Sequence, residues 1–121
     1  MSVFRDQEIF MRACDQTTDH WNVNQFELYT KLIKEEVSEL ETAITQSDRV
    51  EMLDALTDIL VVTIGAIHSM GADGESAWKE VMKTNFAKID RKTGKVHKRA
   101  DGKVLKPEGW QPPDLKPYVK K

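Results

Sequence analysis

The chain has 121 residues, of which 40% are hydrophobic and 31% charged, and its formal net charge is −2. This length and composition favour a single globular domain. The one cysteine, Cys14, excludes a disulfide within the chain and a multi-cysteine zinc site, as is usual in a reducing cytoplasm. We expect no signal peptide and no membrane contact, because the apolar run 59–67 is too short to span a bilayer.

Charge is distributed unevenly along the chain. Residues 1–90 contain 8 Lys or Arg and 17 Asp or Glu, whereas residues 91–121 contain 10 and 3. An acidic body with a basic tail suits an anionic ligand, and it equally suits a tail that binds nucleic acid. Charge alone leaves both interpretations open.

Periodic apolar residues predict three helices before residue 70. The first is a short amphipathic helix over residues 3–14. The second begins at Asn24, as the N-cap, with Glu27 at its third position, and ends near Thr45. The third covers residues 49–69, and the short turn before it makes the second and third helices antiparallel neighbours.

A fourth helix is predicted over residues 75–90, after which periodicity ends. Its predicted buried side consists of apolar residues at helical spacing: Trp78, Val81, Met82, Phe86 and Ile89. From residue 91, glycine and proline turns alternate with lysine. We therefore predict an all-α antiparallel bundle of about four helices over residues 1–90. Residues 91–121 form a basic, irregular tail or lid of the same domain.

The second and third helices carry acids on sides that we expect to be buried. Glu36 and Glu39 lie within the apolar half of one helix, with Glu35 at its border. Glu51, Asp54 and Asp58 form the one polar stripe of the other, and Gly65 lies one repeat further on. Buried carboxylates need counter-charge, and no matching set of Lys or Arg is nearby. Mg²⁺, which prefers oxygen ligands, is the natural counter-ion. A single acid on a helix face is usually just solvated, but two facing i, i+3 carboxylate pairs on apolar faces favour the metal.

The third helix is apolar on almost every side apart from this stripe. Only three other helices are available to cover it, so apolar surface should remain. We therefore predict a homodimer or homotetramer.

These residues also resemble a known family. Glu35-Glu36-x-x-Glu39 followed by Glu51-x-x-Asp54 is similar to the EExxE…ExxD signature of the all-α nucleoside triphosphate pyrophosphatase superfamily. Residues 54–65, 81–88 and 101–114 resemble its MazG-like and phosphoribosyl-ATP pyrophosphohydrolase-like branch, which is related to the dimeric dUTPases. The likeness extends over nearly the whole chain.

The resemblance implies hydrolysis of a nucleoside triphosphate to its monophosphate and pyrophosphate. The implied cofactor is Mg²⁺, with Mn²⁺ as an alternative, and the implied role is nucleotide-pool house-cleaning. It assigns Glu35 to orienting or deprotonating the attacking water. The implied metal ligands and the further acid on their stripe are Glu36, Glu39, Glu51, Asp54 and Asp58. By the same resemblance, Asn85 and Lys88 match positions that would meet the sugar and phosphates, and Gln16 a position near the base. The mechanism adds three tail residues to the expected substrate-binding set: Lys103 and Lys106, which would neutralise outer phosphates, and Trp110 on a lid.

Trp21 departs from the branch, because it stands where a proline-rich connection is expected. The tail also differs from that of the histidine-pathway enzyme, which disfavours phosphoribosyl-ATP as the substrate. Three rival interpretations apply to the same residues. A di-iron carboxylate bundle is disfavoured because the chain has no Glu-x-x-His pair. A non-catalytic regulatory module that binds nucleotide or nucleic acid, and a catalytically silent nucleotide sensor, stay open, although nucleic acid is the less favoured ligand.

Overall fold

The computed structural model describes residues 2–119, which contain four α-helices. These are α1 (Val3–Ala13), α2 (Val23–Thr45), α3 (Arg49–Ser69) and α4 (Gly74–Phe86), followed by a 3-10 turn at Lys116–Tyr118. Residues 2–119 contain no β-strand, only two isolated antiparallel bridges, Ile89 with Val96 and Lys98 with Val104. The all-α prediction with four helices is confirmed. Within the same residues, every helix is too short or too polar to cross a membrane.

Side-chain caps fix where the two long helices begin. The Asp48 side chain accepts a hydrogen bond from the Glu51 amide (3.1 Å), and α3 begins where it was predicted. The predicted cap of α2 was wrong, because the cap is Asn22 and not Asn24. Asn22 Oδ1 accepts from the Gln25 amide (3.1 Å), so its side chain satisfies a donor that the helix itself leaves free.

The fourth helix ends at Phe86, four residues before the predicted end at residue 90. The chain then turns back on itself, because the Asp90 amide donates to the Lys95 carbonyl (2.7 Å). The prediction that this helix buries Trp78 and Phe86 is wrong, since these side chains are 60% and 61% exposed. The pattern identified an apolar face, but the described residues of the chain leave much of it uncovered.

The chain divides into two compact units. The first comprises residues 2–74 with residues 118–119, and the second comprises residues 75–117. The division into a helical core over residues 1–90 and a tail over residues 91–121 of the same domain stays a prediction. In the first unit, Met11, Tyr29 and Ala66 form the buried core. Four partly buried side chains pack against it, namely Phe26, Leu32, Ile33 and Val62.

Two contacts bind α2 to α3 at the end away from their connecting turn. Tyr29 packs directly over Gly65, where any Cβ atom would overlap the tyrosine ring. Gln25 Nε2 donates to Ser69 Oγ (2.8 Å). Tyr29 precedes Glu36 by two helical turns, and Gly65 follows Asp58 by the same distance. The close approach of the helices therefore sets the register in which the acids of α2 lie opposite those of α3.

Candidate functional site

An open cavity of about 600 Å³ lies along α2 and α3 in the first unit. It brings together four of the acids predicted from the sequence. Its lining residues are Glu35, Ser38, Glu39, Thr42, Ala43, Gln46, Glu51, Asp54 and Ala55. The predicted catalytic acid and three of the predicted metal ligands thus share one cavity.

Helical spacing and the short turn explain this convergence. Glu35 and Glu39 lie one turn apart on the same face of α2, and Glu51 and Asp54 are similarly placed on α3. The small residues Ala43 and Ala55 are both buried, at 3% exposure, so no bulky side chain fills the space between the acids. The result is a polar cavity on an otherwise apolar helix pair.

Our expectation that these acids are buried is correct only in part. Glu35, Glu39, Glu51 and Asp54 are exposed on the cavity wall, whereas Glu36 and Asp58 are half-buried. The helical-wheel argument found the side of each helix that carries the acids. It erred on burial because the neighbouring elements of the chain do not close over the cavity.

Glu36 is the most strongly perturbed acid of the group. A hydrogen bond with the Glu39 carboxyl raises the pKa of Glu36 to about 7, with further contributions from desolvation and from the charges of Glu39, Asp58 and Asp54. Two carboxyl groups can share a hydrogen bond only if one of them holds a proton. The other oxygen, Glu36 Oε1, is buried and has no hydrogen-bond partner among the described residues.

This arrangement has the chemistry that a hard divalent cation prefers. Crowded carboxylate oxygens and an unpaired buried oxygen together create a deficit of positive charge. The ion pairs formed within residues 2–119 involve four other acids: Glu8, Asp19, Asp90 and Asp101. In those same residues, no three acid, histidine or cysteine side chains are yet gathered around one metal position. The donor types fit Mg²⁺ or Mn²⁺, and the side chains would have to converge further to hold either ion.

Gln16 is in the first unit but does not line the cavity. Its side-chain oxygen accepts a hydrogen bond from the Tyr29 hydroxyl, and its backbone amide donates to the Met11 carbonyl (2.9 Å). Gln16 therefore lies at the Tyr29–Gly65 end of the helix pair.

Four predicted substrate-binding residues come together within the second unit. Lys88 Nζ donates to Asn85 Oδ1 (3.2 Å) and lies 5.1 Å from the centre of a Trp110 ring. Lys106 Nζ lies 5.0 Å from the Trp110 ring centre. Lys103 is exposed, and its contacts are made by its backbone, whose amide donates to Asp101 Oδ1 (3.1 Å). We call Asn85, Lys88, Lys106 and Trp110 the lysine–indole cluster.

Sequence reasoning missed the neutral polar residues of the acidic cavity. Ser38, Thr42 and Gln46 line it together with Glu35, and all four recur at helical spacing along one face of α2. That spacing was a usable signal, because the same periodicity located the acids. Thr42 Oγ1 donates to the Ser38 carbonyl (3.2 Å), so at least one of these hydroxyls is already engaged by the helix backbone.

The sequence also matches a defined protein family. Residues 6–85, more than half of the chain, match the phosphoribosyl-ATP pyrophosphohydrolase family. The chain belongs to this family. It is therefore a member of the all-α nucleoside triphosphate pyrophosphatase superfamily, as its acidic motif indicated. No curated protein is similar enough to the chain to count as a match.

Membership has direct consequences for the site. Enzymes of this family are pyrophosphohydrolases that act on phosphoric anhydrides, and they typically use Mg²⁺. The matched segment includes all six acids and ends at Asn85. The match gives no information about four predicted substrate-binding residues that lie beyond it: Lys88, Lys103, Lys106 and Trp110.

The raised pKa of Glu36 gives a prediction for stability in the absence of metal. The native protein binds this proton more tightly than the unfolded chain, whose pKa is near the ordinary value of 4.5. The stabilising contribution is therefore complete below pH 4.5 and is lost as the pH rises through about 7. Glu36→Gln, which mimics the protonated form, should abolish this dependence.

The measurement is urea unfolding in EDTA between about pH 5 and pH 8. The stability advantage of Glu36→Gln over the wild type should grow by about 1 kcal/mol across this range, allowing for solvent screening. Glu41→Gln, an exposed acid of the same helix that does not line the cavity, is the control and should give a constant difference. Parallel curves for Glu36→Gln and the wild type would contradict the shared proton.

Proposed function

We propose that this protein is a Mg²⁺-dependent nucleoside triphosphate pyrophosphohydrolase. It would convert a ribo- or deoxyribonucleoside triphosphate and water into the monophosphate and pyrophosphate, and so remove unwanted nucleotides from the pool. The observation that supports this most directly is the cavity between α2 and α3, which is lined by Glu35, Glu39, Glu51 and Asp54, together with the unpaired buried oxygen of Glu36. Family membership supplies the reaction class.

The carboxylates of the helix pair have one main task in this proposal, which is to hold the cation. The ligands would be drawn from Glu36, Glu39, Glu51, Asp54 and Asp58. When bound, Mg²⁺ supplies positive charge to the phosphate oxygens and makes water a better nucleophile. Loss of the shared proton from the Glu36–Glu39 pair would accompany binding, because the cation replaces the proton as counter-charge.

Glu35 is suited to act on the attacking water. It lines the cavity beside Glu39 and is exposed, so a water molecule can reach its carboxylate. An ionised Glu35 would accept the water proton as the oxygen forms its bond to phosphorus. The anhydride bond between the α- and β-phosphates then breaks, and pyrophosphate leaves with the electron pair of that bond.

The lysine–indole cluster is suited to bind phosphate oxygens. Lys88 and Lys106 carry positive charge, and Asn85 adds an amide. We keep Lys103 as a further phosphate contact and Gln16 as a residue near the base on the strength of the family resemblance. We also propose that Trp110 belongs to a lid that would exclude water from the bound substrate.

The nucleotide itself is proposed only as a class. The family is named for phosphoribosyl-ATP, but the tail of this chain differs from that of the histidine-pathway enzyme, which favours an ordinary nucleoside triphosphate. Pyrophosphate release from a panel that includes dUTP, dCTP and phosphoribosyl-ATP would identify the preferred substrate.

Glu39→Gln and Asp54→Asn should each lower kcat for the preferred substrate by about 100-fold or more, because each removes a charged cation ligand from the cavity. Both replacements keep the size and shape of the side chain, so folding should be preserved. The assay is pyrophosphate release at saturating Mg²⁺, with circular dichroism to verify the fold. Glu41→Gln, an exposed acid of α2 outside the cavity, is the matched control and should retain wild-type kcat. Unchanged turnover in both site variants would refute the cation assignment.

We also propose that the protein is a homodimer or homotetramer. The side of α3 away from its acids exposes large apolar side chains, with Leu53 at 67%, Leu60 at 64% and Leu56 at 48%. Covering each of these would contribute about 1.5–3 kcal/mol. A row of this kind on one helix is typical of a surface that a second copy covers.

Leu60→Glu should shift the protein towards monomer, because a carboxylate in an apolar interface is strongly disfavoured. Sedimentation velocity across a concentration series measures the effect. Lys31→Glu, an exposed charge change on α2, is the control and should retain the wild-type sedimentation coefficient. If the wild type already sediments as a monomer at all concentrations, this part of the proposal fails.

A further inference from the structure

We propose that Trp110 is a positioning residue that gathers Lys88 and Lys106 into one dibasic binding unit for a phosphate chain. The cluster rests on three kinds of contact within the second unit: an indole hydrogen bond, two cation–π contacts and a lysine–amide hydrogen bond. The choice of phosphate as ligand rests on the proposed function. The geometry of the cluster is independent of the proposed function.

The indole of Trp110 is anchored on the last turn of α4. Its Nε1–H donates to the Thr84 carbonyl (2.7 Å). Inside a helix, the Thr84 carbonyl would accept a hydrogen bond from the amide four residues later, which is that of Lys88. Because the helix ends here, the Lys88 amide donates to the Asn85 carbonyl instead (3.1 Å). Trp110 therefore satisfies a carbonyl that the end of the helix leaves available, and this bond fixes the position of its ring.

The fixed ring then attracts two ammonium groups that would otherwise repel each other. Lys88 Nζ and Lys106 Nζ lie 5.1 and 5.0 Å from the ring centres, within the range of about 6 Å in which cation–π attraction is significant. The ion pairs present within residues 2–119 use other basic side chains. The positive charge of both lysines therefore stays available to an anion.

A hydrogen bond restrains Lys88 further. Its ammonium donates to Asn85 Oδ1 (3.2 Å), and Asn85 Nδ2 is itself oriented by a contact with Met82 Sδ (3.7 Å). Lysine has three N–H donors, so one bond to Asn85 leaves two for a ligand. A lysine restrained in this way loses less conformational freedom on binding than a freely rotating one.

The ligand that matches this unit is a chain of phosphate groups. Two ammonium groups act as separate point charges, which suits an extended anion with several oxygens. Inorganic pyrophosphate is the simplest such anion and the product of the proposed reaction, so it serves as the probe.

The first test is NMR spectroscopy of the lysine ε-methylene groups in the full-length protein without ligand. Ring currents from Trp110 should move the Lys88 and Lys106 signals upfield, with assignments made from Lys88→Met and Lys106→Met. Trp110→Leu should return both signals to ordinary positions, and Trp110→Phe should give intermediate shifts because it keeps a ring without the bond to Thr84. Trp78→Leu, the exposed tryptophan of the same unit, should leave both signals unchanged. Lysine signals that ignore the Trp110 substitutions would overturn the proposal.

The second test is binding of inorganic pyrophosphate by calorimetry. Trp110→Leu should weaken binding roughly fivefold to tenfold, because the two lysine side chains would then have to be ordered when the anion binds. Lys88→Met should weaken binding much less in the Trp110→Leu background than in the wild type, because the two residues act as one unit. Additive losses would overturn the proposal, even if Trp110→Leu alone weakened binding.

Nucleotide kinetics separates this proposal from the function proposed above. With the preferred substrate, Trp110→Leu should raise KM more than it lowers kcat, since it acts on phosphate binding through the lysines. If no nucleotide is hydrolysed while the methylene shifts and the non-additive pyrophosphate binding hold, the enzyme assignment fails and the cluster stands. If hydrolysis is robust and both effects are absent, the cluster fails and the enzyme assignment stands.

Discussion

The repulsion among carboxylates between α2 and α3 is the constraint on which the rest of the structure depends. Glu36 and Glu39 are close enough to share a proton, and Asp54 and Asp58 add negative charge from the opposite helix. Like charges would separate these helices if nothing else held them. Tyr29 over Gly65, two helical turns from the acids, and Gln25 bonded to Ser69, three turns from them, hold the pair together. Stability from packing at one end thus maintains an electrostatically unfavourable arrangement at the other.

Such an arrangement is what binding of a cation requires. Under the proposed function, the two helices bring the acids near one another, and a cation that draws them together would relieve part of their repulsion. Under the proposed function, exposure of Glu35 and Glu39 on the cavity wall would allow substrate to enter, whereas burial of Glu36 Oε1 keeps one oxygen away from water.

Much of the fold could be predicted from the sequence because its signals are local. Apolar periodicity located α3, and the short turn before it predicted its antiparallel neighbour. Errors arose where local signals compete. Asn22 and Asn24 are both plausible caps, and only the hydrogen bond to the Gln25 amide decides between them. The end of α4 depends on the turn that follows, which has no helical period to mark it.

The position of the acids on α2 and α3 could also be predicted from the sequence, because it too depends on local helical spacing. The acids of α2 and α3 lie at helical spacing, so their convergence followed from two helices and one turn. How deeply they are buried did not follow, because burial depends on what the rest of the chain covers. The lysine–indole cluster was predicted as a set of residues but not as an arrangement. Trp110 reaches Thr84 across 26 positions of sequence, most of them without periodicity.

Binding of Mn²⁺ followed by amide NMR spectroscopy tests the central claim most directly, because this paramagnetic ion broadens signals only near the place where it binds. The account predicts that substoichiometric Mn²⁺ selectively broadens the amides of residues 35–39 and 51–58, and that excess Mg²⁺ reverses the effect. Broadening centred on other acids, such as Glu8 or Asp101, or uniform weak broadening throughout the protein, would contradict it.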